Sequence, residues 1–339
     1  MRRPFALPWG PARRRLEPLL DALQGHLWTF RPWIEGELRP PSLPPSTPWS
    51  TTMQDAVAGP IRLTGALHSS GAEPGSDTVL VVVHGMGGDI DSYYVQRAAI
   101  AARACGVDCL RLNLRGADLS GQDFYHAGLT ADLAAAMASD ALAGHAHVVV
   151  MGFSLGGHQA LCLATDPPDP RLAAVAAICA PLDLARGATD IDTPMRWPYR
   201  YHVLRALKLM MEAVERRGTL PLPVPLARLQ KVSTIREWDE RLVGPRHGFD
   251  GADHYYREAS VGPRLGSLAV PALLWCARHD PMVLSRSVQA ALTAAPAALD
   301  LRWAERGGHV GFPGDLTLGL DGPPELEAQA ITWLLQHCG

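Results

Sequence analysis

The chain has 339 residues, of which 47 % are hydrophobic and 19 % charged, with a formal net charge of −3 and a sequence pI of about 6.5. That length suits one large α/β domain or one domain carrying an insertion, and the composition supports a sizeable core. The near-neutral charge gives no reason to expect a nucleic-acid partner.

The first residues are basic, with Arg2, Arg3, Arg13, Arg14 and Arg15. Pro4, Pro8, Gly10 and Pro11 interrupt them, so no unbroken apolar h-region follows and no secretory signal is expected. These arginines read as a solvated terminus, with a contact to an anionic membrane surface as the alternative. A short helix is expected over Leu16–Leu27, followed by a proline-rich linker, RPPSLPPSTP, at 39–48. Ile61–Leu67 alternates apolar and polar residues, as a half-buried strand does. Thr78–Val83 is nearly all apolar, which fits a strand buried on both faces. The pattern then gives helix Ser92–Cys105, strand Asp108–Asn113, helix Leu129–Leu142, strand His147–Phe153, helix Leu155–Thr165 and strand Ala173–Cys179. The stretch from Ala141 to Thr165 lacks charged residues, but His145, His147 and four glycines rule it out as a membrane span.

From Pro181 to Ser267 no strand pattern is visible, only helix-like pieces such as Val203–Arg217 and Ser233–Leu242 around the proline-rich TLPLPVP. Strand Ala272–Ala277, helix Leu284–Ala294, strand Leu299–Ala304 and helix Pro324–Gln336 complete the chain. Alternating strands and helices imply right-handed crossovers and a mostly parallel central sheet flanked by helices. The expected organisation is an N-terminal extension and linker at 1–48, an α/β core at 49–180 and 268–339, and a helical cap at 181–267 inserted after the sixth strand. The six cysteines lack zinc-type spacing and read as small buried hydrophobes of a reduced, cytoplasmic protein.

Gly152-Phe153-Ser154-Leu155-Gly156 follows an apolar strand and opens a helix, the context that a G-x-S-x-G nucleophile elbow requires. Such a turn lifts the Ser154 hydroxyl above the sheet and aims the Leu155 N–H at a developing oxyanion. His84-Gly85-Met86-Gly87-Gly88 ends the strand Thr78–Val83, where this fold supplies a second oxyanion N–H, here that of Met86. The His84 side chain reads as a structural hydrogen-bonder. Asp280 lies just past a buried strand, and His309 lies between the last strand and the last helix. A serine hydroxyl needs an imidazole base, and the imidazole needs a carboxylate to fix its tautomer. The order Ser154, Asp280, His309 is that of the α/β-hydrolase fold. Two rivals are weaker. His158 lies one turn into the elbow helix and points back into the fold, and Asp183 opens the long insertion, where the chain must leave the sheet. His145 and His147 lack further ligands at useful spacing, so no metal site is expected. No dinucleotide fingerprint or Walker lysine is present, so no cofactor is expected.

Several stretches together resemble the YheT-like α/β hydrolases: GHLWTFRPW at 25–33, HGMGGDIDSYYV at 84–95, NLRGADLSG at 113–121, YHAGLTADL at 125–133 and GFSLGG at 152–157. REWDERLVGPRHGFDGADHYYREAS at 236–260, RHDPMV at 278–283 and GGHVGF at 307–312 extend the likeness through the insertion. The chain departs from that family's pattern at His158. The resemblance implies a carboxylic-ester hydrolase with Ser154, Asp280 and His309 as its triad. The expected reaction is acyl-enzyme hydrolysis of an uncharged, fairly apolar small-molecule ester, without metal or organic cofactor and without an integral membrane segment. An acyltransferase, or a non-catalytic binding protein on a hydrolase scaffold, are the alternatives. The apolar stripe Val203, Leu204, Leu207, Leu209, Met210, Met211 and Val214 would either line an acyl pocket or pack the cap onto the core.

Overall fold

The computed structural model describes residues 23–32, 34–36, 38, 41–72, 75–292 and 296–339. The terminal arginines, the first part of the expected helix Leu16–Leu27 and the end of the expected helix Leu284–Ala294 lie outside them. The described residues form one eight-stranded sheet in the order β1-β2-β4-β3-β5-β6-β7-β8. Its strands are β1 (Ser46–Asp55), β2 (Gly59–His68), β3 (Thr78–Val83), β4 (Asp108–Asn113), β5 (His147–Phe153), β6 (Leu172–Ile178), β7 (Ala272–Ala277) and β8 (Leu299–Ala304). β1 and β2 are antiparallel to each other, β2 is antiparallel to β4, and the other pairings are parallel.

The central strands read as unbroken apolar runs because helices cover both faces. Every residue of β3 and β7 is buried. The helices used below are α1 (Tyr93–Ala104), α2 (Ala131–Met137), α3 (Leu155–Thr165), α4 (Leu184–Ile191), α5 (Trp197–Arg217), α6 (Ala252–Ala259), α7 (Ser285–Ala291) and α8 (Leu326–Leu335). Residues 23–32 are also helical.

β1 corrects the sequence reading, because the last residues of the expected linker, 46–48, already belong to a strand. Ser46–Asp55 is polar and mostly exposed because it is an edge strand, and Trp49 is its one buried residue. Pro48 is tolerated there because an edge strand has one unpaired side. The absence of strand pattern over 181–267 is matched: between β6 and β7 the described residues form only helices and turns.

A buried ion network ties this helical segment to the sheet. Arg115 is 2 % exposed and donates to Asp132, Asp55 and Asp123, and Arg246 of the helical segment donates to Asp123 at 2.6 and 3.0 Å. Charges this deeply buried persist only when paired, so the network fixes where the segment sits.

Candidate active site

All five residues singled out from the sequence converge at the carboxyl ends of the parallel strands, the usual ligand face of an open α/β sheet. Ser154 sits between β5 and α3 with φ 54° and ψ −117°. Such a backbone costs on the order of 1–3 kcal/mol and persists only where its surroundings hold it. The Ser154 N–H donates to Ile178 O at 2.7 Å. The flanking glycines are required by close approach. A Cβ on Gly152 would lie 2.1 Å from Gly156 O, and one on Gly156 would lie 2.5 Å from His84 O. Cys179 and Val310, also at this end of the sheet, have positive φ as well.

Asp280 and His309 are buried and joined by a 2.9 Å hydrogen bond between His309 Nδ1 and Asp280 Oδ2. The other carboxylate oxygen accepts the N–H groups of Met282 and Val283 at 2.8 and 2.9 Å. A carboxylate held this way places the imidazole proton on Nδ1 and leaves Nε2 as an acceptor. Ser154, His309, Met86 and Leu155 all border one cavity of about 930 Å³. Leu155 N–H lies in the first turn of α3, where a backbone N–H has no intrahelical acceptor.

The rival groups are engaged elsewhere. Asp183 caps α4, accepting from the Arg186 N–H at 3.0 Å. His84 Nε2 accepts from Leu114 N–H at 3.2 Å, so its Nδ1 donates to Gly85 O, and burial lowers its pKa. His158 is fully buried, with its two ring nitrogens 2.7 and 2.8 Å from the carbonyls of Pro181 and Ala259. That geometry suits an imidazolium. Burial opposes the charge, but Cys162 beside the ring and the two carbonyls raise its pKa. Cys162 in turn accepts from Arg264 at 2.9 Å, so this buried cysteine is more than the small hydrophobe expected. His145 is half-buried and pairs with Asp108 at 3.1 Å.

Three supporting side chains carry no local sign of their role in the sequence. The Tyr94 and Tyr125 hydroxyls accept the N–H groups of Gly85 and Gly87 at 3.1 and 2.7 Å, fixing the loop that presents Met86. Thr29, in the N-terminal helical segment, accepts the His309 N–H at 2.8 Å. Cys179 Sγ lies within 4.8 Å of ligand atoms of Asp280 and His309. Burial, followed by Asp280, pushes its thiol pKa well up. A metal among these three residues would have to displace the proton shared by His309 and Asp280. Tyr94, Tyr125 and Thr29 each lie within a stretch that carries the family resemblance.

The apolar stripe on α5 is mostly core. Leu204, Leu207, Met210, Met211 and Val214 are buried, Leu209 is exposed, and of the stripe Val203 borders the cavity. Met210 packs on the loop at Gly116. Other apolar lining comes from Leu184, Ala188, Ile191, Ile235, Met282 and Val283, and from Pro198 and Tyr199 at the start of α5. Periodicity identified the buried face of α5 but not what that face meets.

A family model described as the alpha/beta hydrolase fold matches residues 78–314. A protein of Escherichia coli (strain K12) named "Putative esterase YheT" is 32 % identical over 76 % of this chain and 76 % of its own length. "Monoacylglycerol lipase ABHD2" of Danio rerio is 24 % identical over 88 % of this chain and 74 % of its own. Among solved structures, a 2,6-dihydroxy-pseudo-oxynicotine hydrolase superposes with a TM-score of 0.57 at 15 % identity, covering 97 % of this chain and 76 % of that one, which speaks for the fold. The elbow, the order of the site residues and these matches agree, and the chain belongs to the α/β-hydrolase family as a YheT-like member.

Proposed function

We propose that this hydrolase is a serine carboxylesterase, with Ser154 as nucleophile, His309 as general base and Asp280 as the acid that orients the base. Ser154 Oγ attacks the ester carbonyl while its proton passes to His309 Nε2. The N–H groups of Met86 and Leu155 receive the oxyanion. The tetrahedral intermediate collapses as the imidazolium protonates the leaving alcohol, and water then resolves the acyl-enzyme by the same groups in reverse. No metal or organic cofactor takes part in this scheme.

The observation that supports this reading most is the Asp280–His309 hydrogen bond on the wall of the cavity into which the strained Ser154 turn opens. The esterase and lipase names of the relatives agree with it. In this reading 1–45 is an N-terminal extension, the core runs from β1 at Ser46 to 180 and over 268–339, and 181–267 is a cap over the site. The walls from Leu184, Ile191, Ile235 and Val283 favour uncharged, apolar esters. No helix of the described residues is long and apolar enough to cross a membrane. The six free cysteines suit a reducing compartment, so we place the protein in the cytoplasm.

The test is turnover of p-nitrophenyl esters of graded acyl length, with products analysed in the presence and absence of added alcohol. The expected product is the free acid, with a preference among acyl lengths. Transfer of the acyl group to alcohol in place of water would make the enzyme an acyltransferase. No turnover of any ester, together with no labelling by a fluorophosphonate, would leave a binding protein on a hydrolase scaffold.

A further inference from the structure

One polar group in the cavity wall has no part in the triad chemistry. Asp239 lies in the stretch REWDERLVG and is 7 % exposed, yet it borders the same cavity as Ser154 and His309. The same cavity is lined by apolar side chains that include Leu184, Ile191 and Ile235. Tyr256, from α6, donates its hydroxyl to Asp239 Oδ2 at 2.7 Å and borders the cavity as well. Asp239 also opens a five-residue π-helical turn, Asp239–Val243. Such turns are rare and occur frequently at functional sites. A carboxyl in an apolar wall costs stability, and a group retained at that cost is a candidate for recognition.

We propose that Asp239, held by Tyr256, is a specificity determinant that hydrogen-bonds a hydroxyl carried on an otherwise apolar limb of the ester substrate. The proposal rests on the esterase reading above and adds the substrate class to it. A hydroxyl is the group that suits this carboxyl best. Burial pushes the Asp239 pKa up to about 7, against the opposing Tyr256 hydrogen bond, with Asp192 raising it further and Arg236 lowering it. Tyr255, beside Tyr256 on α6, also faces this charge. A carboxyl raised in this way is best matched by a partner that pairs with either of its forms. A hydroxyl donates to the carboxylate and accepts from the protonated acid, so it pairs with either form. An ammonium group pairs only with the carboxylate. Sites built to bond a hydroxyl discriminate strongly against the analogue that lacks it, because the wall group is then left unpaired.

The experiment measures kcat and KM of the full chain on matched esters: unsubstituted, hydroxyl-bearing and ammonium-bearing. One series carries the substituent on the acyl chain and the other on the alcohol, which identifies the limb that reaches Asp239. The readout is the ratio of kcat/KM values within each enzyme, so a loss of folded protein cancels. Wild type should favour the hydroxyl ester over the plain ester by about ten-fold or more in one series, mainly through KM. Asp239→Leu should bring that ratio near one. Asp239→Asn keeps the shape and the Tyr256 bond but cannot ionise. In wild type the ammonium-to-plain ratio should rise as pH passes through about 7, and in Asp239→Asn it should stay flat. A hydroxyl ratio near one in both wild-type series overturns the proposal. So do an unchanged ratio in a folded Asp239→Leu and a pH-dependent ammonium ratio that survives in Asp239→Asn. No turnover of any ester overturns the esterase reading and this proposal with it, whereas turnover with flat ratios overturns this proposal alone.

Discussion

Replacing Thr29 with Val tests whether the N-terminal helical segment positions the imidazole. The Thr29 hydroxyl accepts the His309 N–H at 2.8 Å and donates to Gly25 O at 2.8 Å, which ties the segment to the loop bearing His309. The packing is close: a Cβ on Gly308 would lie 2.2 Å from Gly25 O, and one on Gly311 would lie 2.0 Å from Trp28 O. Val keeps the shape of Thr and removes the acceptor. Leaving a buried N–H without a partner costs about 1–3 kcal/mol, which in a chain of this size lowers Tm by roughly 1–4 °C. The His309 backbone can relieve part of that cost by moving. A displacement of 1 Å at a reacting group costs on the order of 100-fold in rate, so half of it costs about ten-fold. Thr29→Val should therefore lower kcat on p-nitrophenyl butyrate by about ten-fold with KM within about two-fold, and Thr29→Ser should restore both kcat and Tm. Steady-state kinetics and thermal denaturation of the two variants measure this. Wild-type kcat and Tm in Thr29→Val would refute the positioning role.

Three further outcomes follow from the geometry. Asp280→Asn should lose on the order of 10⁴ in turnover, as loss of the tautomer-fixing acid does elsewhere, while Asp183→Asn should keep most activity, because Asp183 caps α4 and pairs with Arg186; kinetics of the two variants, with folding checked by circular dichroism, give the ranking. Gly156→Ala should yield no folded protein, because the new Cβ would meet the backbone oxygens of His84 and Val83 at 2.5 and 2.6 Å and neither can yield, a result read by soluble expression and circular dichroism. Asp239→Asn should stabilise the protein more at pH 8 than at pH 4: a carboxyl whose folded pKa is raised from 3.8 to about 7 contributes fully below the lower value and loses that contribution as pH rises through the higher one. The difference is on the order of 4 kcal/mol and is read by urea denaturation at the two pH values.

What the sequence revealed was what local pattern encodes. β3, β5 and β7 carry apolar runs, β4 and β8 alternate apolar with polar residues, and all five are found where the sequence places them. β1 went unseen because an edge strand needs no such run and Pro48 mimics a linker. Ser154, Asp280 and His309 were legible because each follows a strand end within a recognisable turn. The hydroxyls of Tyr94, Tyr125 and Thr29 act on partners 9, 38 and 280 residues away, and no local spacing records such a contact. The same limit hid the cavity wall. The apolar period of α5 predicted burial correctly, yet most of that stripe packs in the core, and the cavity is lined by the first turns of α5, by α4, by Ile235 and by the loop after β7. Asp239 lay in a stretch already noted for family likeness, but its meaning depends on the cavity and on Tyr256.

The most direct test of the account is covalent labelling of the nucleophile. Treatment with a fluorophosphonate, followed by peptide mass analysis, should find the label on Ser154, and ester turnover should fall in step with labelling. Ser154→Ala should take up no label and lose turnover by several orders of magnitude while keeping its circular dichroism spectrum. A label on another residue, or undiminished turnover by folded Ser154→Ala, would contradict the assignment of this serine as the nucleophile.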